Sequence, residues 1–217
     1  MTIFTIDGIL HNVAGTMDWA LRGPPGFTRL MTLSYLKWLY TQTNDEQLEP
    51  QYEHWETSRP LNYDLDAVEE LFQCRVLGNT CLSALRERAT GDQYTSLTNN
   101  SKGCCGVMRV APIGLYMHHD NYGAYRHAGE AAGITHRNTT SDQSSGVFAS
   151  IVSLITHGKS LRQAVRQTLS ILKKESSSGG ETETALTWAL KFADNKTMSI
   201  HQAINELGDG WLGSRRP

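Results

Sequence analysis

The 217-residue sequence predicts an all-α fold, arranged as one compact helical domain over residues 1–217. Three observations carry that expectation. Apolar residues recur every three or four positions along most of the chain, which is the repeat of a half-buried helix. No segment alternates apolar and polar residues as a one-sided strand would. No heptad pattern or longer internal repeat is present, which sets aside coiled coils and repeat arrays.

Taken in order, the first run holds Leu30, Leu33, Tyr35, Leu36, Trp38, Leu39 and Tyr40 and stops before the polar stretch 41–49. A second holds Val68, Leu71, Phe72 and Val76. Asp66 stands where a helix N-cap would be, with Glu69 three residues on to complete a capping box. Cys81, Leu82 and Leu85 form a third run, opening after Gly78-Asn79. From Asn100 to Pro112 a polar, glycine-punctuated loop leads into an apolar segment that reads as a buried helix. Ala128, Ala131 and Ala132 suit close helix contact, and Val147, Ile151, Leu154 and Ile155 continue to a stop at His157-Gly158. Ser160 caps a run through Leu161, Ala164, Val165, Leu169 and Leu172. A surface loop from Glu175 to Gly180 follows, then helices over 181–192 and 200–207. Two stretches are irregular: Gly15 to Phe27, with the breaker cluster Arg22 to Gly26, and Gln51 to Tyr63. The second carries Tyr52, His54, Trp55, Arg59 and Pro60, which either stack on a flat ligand or pin a long loop to the core.

Composition narrows the function classes. The formal charge is −2 and the mean hydropathy −0.39, with 39% hydrophobic residues. No basic field marks a nucleic-acid binder. No apolar run is long enough for a membrane span and no secretory signal opens the chain, so a cytoplasmic protein is expected. Cys74, Cys81, Cys104 and Cys105 lack zinc-type spacing and read as reduced thiols, with the seven-residue step from Cys74 to Cys81 suiting one helix face. His118-His119-Asp120 matches a metal trio in residue type alone; adjacent histidines also suit the negative end of a helix.

The loop Asn100-Ser101-Lys102-Gly103-Cys104-Cys105-Gly106 is the chief candidate site. Gly103 and Gly106 would open backbone angles closed to other residues and turn N–H groups toward an anion. The helix that follows would add the positive end of its dipole. A tight helix entry with no ligand explains the same glycines.

The segment Asn100 to Leu115 resembles the substrate loop of the ADP-ribosylglycohydrolase family, N-S-K-G-x-G-G-V-M-R-V-A-P-I-G-L, departing at Cys105 where the family tends to carry glycine. Residues 78–85 resemble its G-N-T-C-L-S-A-L helix start, and Ala131 to His136 its A-A-G-I-T-H helix end. The resemblance implies an all-helical fold, hydrolysis of the N- or O-glycosidic bond of ADP-ribose on a modified protein or small molecule, and Mg2+. It assigns ADP-ribose binding to Asn100, Ser101, Lys102, Gly103, Cys104, Cys105, Gly106, Met108 and His136, with Met108 lining an apolar wall. Lys102 would draw the diphosphate or be solvated; Arg109 would offer charge or brace a helix by a salt bridge.

The family's early D-D-T-Q-M-T-L-F-T segment compares with an opening Met1-Thr2-Ile3-Phe4-Thr5, and its G-x-G-W stretch with Gly208 to Trp211. The comparison therefore implies that the first and last family segments, with both magnesium half-sites, lie outside this chain. Asp64 and Ser141-Asp142-Gln143-Ser144 are weak replacements, and Asp142 also reads as a helix cap. The expectation is a family protein inactive for want of metal ligands. The alternatives are a non-catalytic ADP-ribose binder and an interaction fragment whose apolar face is covered by a partner or a second copy.

Overall fold

The computed structural model describes residues 1–18, 26–44, 65–74, 78–90, 98–175 and 180–208, and every regular element among them is helical. Residues 1–99 and 100–217 form two compact units.

In the first unit, α1 (Thr2–Asp18) packs on α2 (Phe27–Thr43), which also meets α3 (Asn79–Thr90). The sequence reading names no helix before Leu30, yet α1 runs past Gly15 to Asp18. Its inward face is mixed rather than apolar: Phe4 and Ile9 lie beside buried Thr5, Asp7 and His11. Thr5 shares a 3.0 Å hydrogen bond with Tyr35, and Ser34 donates to Asp7 at 2.6 Å. His11 Nε2 stands 3.3 Å from Asp7 one turn away. Burial alone would raise the Asp7 carboxyl, but His11, Ser34 and Lys37 outweigh it and hold the group below its ordinary value. Such an inward face defeats a count of apolar spacing. Helix α2 is buried throughout from Leu30 to Leu39, with Thr32, Ser34 and Lys37 enclosed among its apolar residues.

The segment expected as a helix from Val68 instead makes two short 3-10 turns, Leu65–Ala67 and Glu69–Phe72. Asp66 lies inside the first turn, so it caps no α-helix. Phe72 sets its ring edge-on to Tyr40 at 5.5 Å, and Gln42 donates to the Leu71 carbonyl at 3.0 Å. Cys74 falls between these turns and α3, so the spacing to Cys81 is not a helix face. Asp64, Val76, the breaker residues 22–25, the aromatic stretch 51–63, loop residues 176–179 and the stretch 209–213 lie outside the described residues.

The second unit is built on α6 (Asn121–Gly133) and α7 (Thr139–Thr156), which make its most extensive contact. Two short helices, α4 (Cys105–Met108) and α5 (Ala111–Tyr116), lie against both. Helices α8 (Leu161–Glu175), α9 (Glu181–Asp194) and α10 (Ile200–Leu207) follow, each packed on its predecessor. Small residues let α6 and α7 approach closely. Ala124, Ala128, Ala131 and Ala132 face inward from α6, and Ser145, Gly146 and Ala149 from α7. A Cβ on Gly146 would lie 2.6 Å from the Tyr125 carbonyl oxygen. Around Tyr125, Val147 and Leu172 an apolar cluster joins these helices to α8 and α9.

The predicted stop at His157-Gly158 is a left-handed cap: Gly158 has φ +86°, and the N–H of Lys159 reaches back to Leu154 at 2.9 Å. Ser160 and Gln163 cap α8 reciprocally, as Ser199 and Gln202 cap α10. No helix among the described residues is long and apolar enough to cross a membrane.

Candidate functional site

The loop of residues 100–104 runs into α4 inside the second unit, and the α6–α7 turn lies beside it. Asn138 fixes one edge. Its side-chain oxygen accepts from Thr140 N–H at 2.9 Å, capping α7, while its amide nitrogen donates to Asn100 Oδ1 at 2.8 Å. The same residue thus starts a helix and holds the loop. Ser101 Oγ accepts from the Gly103 N–H at 3.2 Å, which tightens the turn locally.

Neither Gly103 nor Gly106 has a positive φ, so the backbone freedom expected of them is not what the fold uses. What it uses is their lack of a side chain. A Cβ on Gly103 would sit 2.8 Å from His136 Nε2, and one on Gly106 would sit 2.9 Å from Ser141 Oγ and 3.2 Å from Ala132 Cβ. Gly103 lets the loop pack directly against the imidazole, and Gly106 lets α4 press onto α6 and α7. Cys104 is exposed, and Cys105, at the start of α4, is half-buried with its sulfur within 4.8 Å of a His136 ring nitrogen.

Lys102 is ion-paired with Glu181, in the first turn of α9, and Glu181 also accepts from Thr140 at 3.3 Å. The pairing with Lys102 and the bond from Thr140 hold the Glu181 carboxyl below its ordinary value. Lys102 therefore serves as a tether between loop and helix, a role the sequence reading does not include. Met108 is 68% exposed and lines no wall among the described residues.

Arg109 is the largest fully buried side chain in the protein's described part, and it braces the end of a helix through hydrogen bonds. Its Nη2 donates to the carbonyl of Ala131 at 2.8 Å, to that of Ala132 at 3.4 Å and to Thr135 Oγ1 at 2.8 Å. A fixed cation thus closes the C-terminal end of α6, where carbonyls lack intrahelical partners and the dipole favours positive charge.

That arrangement decides the state of His136. Thr135 Oγ1 accepts from Arg109 and shares a 2.7 Å hydrogen bond with His136 Nδ1, which leaves Nε2 as the ring nitrogen beside Gly103. Burial, reinforced by the Arg109 charge, lowers the imidazole to about 4, so the ring is neutral at ordinary pH. His136 is fully buried and Nε2 has no hydrogen-bond partner among the described residues; Ser141 Oγ and Ser145 Oγ, beside Gly106, share that condition. A buried polar group left unsatisfied is costly, so these atoms would gain from a water or a ligand oxygen. Thr135, Asn138 and Glu181 are the residues the sequence reading misses. Only Thr135, inside the I-T-H match, carried any signal.

Asp142 belongs to the first turn of α7, but Asn138 does the capping. Its Oδ1 is buried without a partner, and burial raises the carboxyl to about 6 against the pull of Arg137. Several other acids of the second unit are engaged elsewhere: Asp120 caps α6, Glu130 meets Arg126 and His127, and Glu175 accepts from Tyr122. Among the described residues no three carboxylates bring their oxygens together. They do not fit a hard divalent ion, which takes several oxygen ligands.

A family model described as ADP-ribosylglycohydrolase matches residues 1–215 of this chain. No curated protein and no solved structure matches it.

Proposed function

This chain belongs to the ADP-ribosylglycohydrolase family, and on that premise we propose that its second unit recognises ADP-ribose through the loop 100–106 and His136. The family is generally metal-dependent. The metal would position ribose hydroxyls and water for cleavage of the glycosidic bond. Because the described carboxylates do not assemble a site for it, no catalytic step is assigned to them.

One observation carries the reading: the buried, unpartnered Nε2 of neutral His136 beside a residue with no side chain. A neutral imidazole held by Thr135 and Arg109 offers one directed hydrogen-bonding nitrogen and does not titrate near pH 7. A ribose hydroxyl, which both donates and accepts, is a partner of the kind it lacks. Ser141 and Ser145 hydroxyls extend the polar strip. Electrostatic attraction adds little here, since Lys102 is already neutralised by Glu181. Recognition then rests on fixed hydrogen-bonding groups rather than on net charge.

A non-catalytic binder and a hydrolase are the two readings that follow for this chain. Calorimetric titration of the chain with ADP-ribose, with ADP as comparison and with and without Mg2+, tests both readings. Saturable ADP-ribose binding that is lost in Gly103→Val and weakened at least about tenfold in His136→Ala supports recognition. Binding unchanged in both variants refutes the loop and His136 assignment. Release of ADP-ribose from an ADP-ribosylated protein by the wild-type chain would restore hydrolysis to it.

A further inference from the structure

We propose that Glu181 is a specificity-determining residue: its carboxylate, held on Lys102 and Thr140, biases the loop 100–106 against ligands with a terminal phosphate and toward the doubly esterified diphosphate of ADP-ribose. The inference rests on that loop being the ligand loop, as proposed above. Lys102 is the one cationic residue in the loop, so whatever faces it decides how an anion is received there.

Three elements meet at the Glu181 carboxylate. Glu181 stands in the first turn of α9, Lys102 in the loop before α4 and Thr140 in the first turn of α7. Oxygen Oε1 is ion-paired with the Lys102 ammonium, and Oε2 accepts from Thr140 Oγ1 at 3.3 Å. An ammonium and a hydroxyl that grip two oxygens of one anion would serve a phosphate as well as a carboxylate. Glu181 thus takes, from within the chain, the place an incoming anion would need at Lys102. The Lys102 bond holds its carboxyl below the ordinary value, and the start of a helix favours negative charge, so Glu181 stays ionised. Glu183, two residues on, faces a different cation, Lys173, at 3.8 Å.

Stability does not account for the Lys102–Glu181 pair. Its side chains are 35% and 49% exposed, and an ion pair that open to water contributes little to folding. Its effect on a ligand is larger. The charge of Glu181 offsets the pull of Lys102 on any anion and repels further negative charge brought close to it. A terminal phosphate takes up additional charge near neutral pH and meets that repulsion most strongly. The diphosphate of ADP-ribose is esterified at both ends and is penalised least. Asn138 holds the start of the loop through Asn100 at 2.8 Å, a bond that does not involve Glu181. Neutralising Glu181 therefore changes the charge at the loop more than its position.

Calorimetric titration of the full chain with inorganic pyrophosphate, ADP and ADP-ribose tests the proposal. Glu181→Gln keeps an oxygen for Lys102 or Thr140 and removes the charge. It is expected to tighten pyrophosphate and ADP at least about fivefold and ADP-ribose by less, with the gain shrinking as salt is raised. Adding Lys102→Met to Glu181→Gln should cancel the gain. Asp194→Asn is the matched control: it removes the same charge from the other end of α9 and frees Arg162, 2.6 Å away, and should leave all three affinities unchanged. Pyrophosphate behaving alike with wild type and Glu181→Gln overturns the proposal, as does an equal gain for all three ligands or a gain that survives loss of Lys102. Failure of the ADP-ribose reading shows separately, as absence of ADP-ribose binding by wild type, and the pyrophosphate comparison still decides the role of Glu181.

Discussion

At the scale of single residues, the site is governed by what Gly103, Thr135 and Arg109 do to one imidazole. Arg109 satisfies Thr135, Thr135 orients His136, and the glycine packs against the far nitrogen. Gly103→Ala is the smallest change that tests this. Its methyl group would have to displace the His136 ring, which is buried and bonded on its other side, so the cost in stability is expected at about 1–3 kcal/mol. Urea denaturation reads that loss, and affinity for ADP-ribose should fall with it. Arg109→Lys should cost more than a surface exchange of the same kind. A lysine cannot reach two carbonyls and a hydroxyl with one planar group. The family match spelled out these positions, but the sequence held no sign that Lys102 would spend its charge on Glu181, seventy-nine residues on. That pairing depends on where α9 begins in space.

At the scale of elements, close approach between helices sets the second unit's geometry. Gly114 lies against the Ala149 backbone and Gly146 against that of Tyr125, with no space for a Cβ on either. Backbone cannot yield as a flexible side chain can. Gly146→Ala is therefore expected to destabilise the chain by at least about 2 kcal/mol, measured by urea denaturation, with helical content retained until the helices separate. Gly158→Ala acts by a different route, through backbone strain at φ +86°, and should cost about 1 kcal/mol. The helix stop at Gly158 and the cap at Ser160 were legible because they are local chemistry. The α1 helix was not, because its inward face is held by Asp7–Ser34 and Thr5–Tyr35 hydrogen bonds that only pairing with α2 creates.

At the scale of the whole molecule, two buried groups tilt stability against pH in opposite directions. The folded imidazole of His136 titrates near 4 against an ordinary 6.5. Its unfolded form therefore takes up a proton first, and the stability it confers is full above pH 6.5 and drains away toward pH 4. Asp142 is the reverse, titrating near 6 when folded against an ordinary 3.8. Its folded form holds the proton longer, so its contribution is greatest at low pH and is lost as the pH rises through 6. Asp142→Asn is expected to stabilise the chain at pH 7.5 by about 1–2 kcal/mol, allowing for its partial exposure, and to gain little at pH 4.5. His136→Gln should remove the decline between pH 6.5 and 4. Denaturation curves at pH 4.5, 6 and 7.5 separate the two effects, and a variant profile parallel to wild type would contradict either assignment.

The sequence by itself determined the helical class, most helix boundaries in the second unit and the family, since apolar period, caps and short motifs are written in neighbouring residues. Tertiary structure alone decided which charges remain available, which carboxylates meet, and which group braces Thr135 beside His136. Those properties belong to pairs of residues far apart in the chain, such as Lys102 with Glu181 and Arg109 with Thr135. A one-dimensional pattern holds no distance between such partners, and electrostatics and hydrogen bonding depend on distance before anything else.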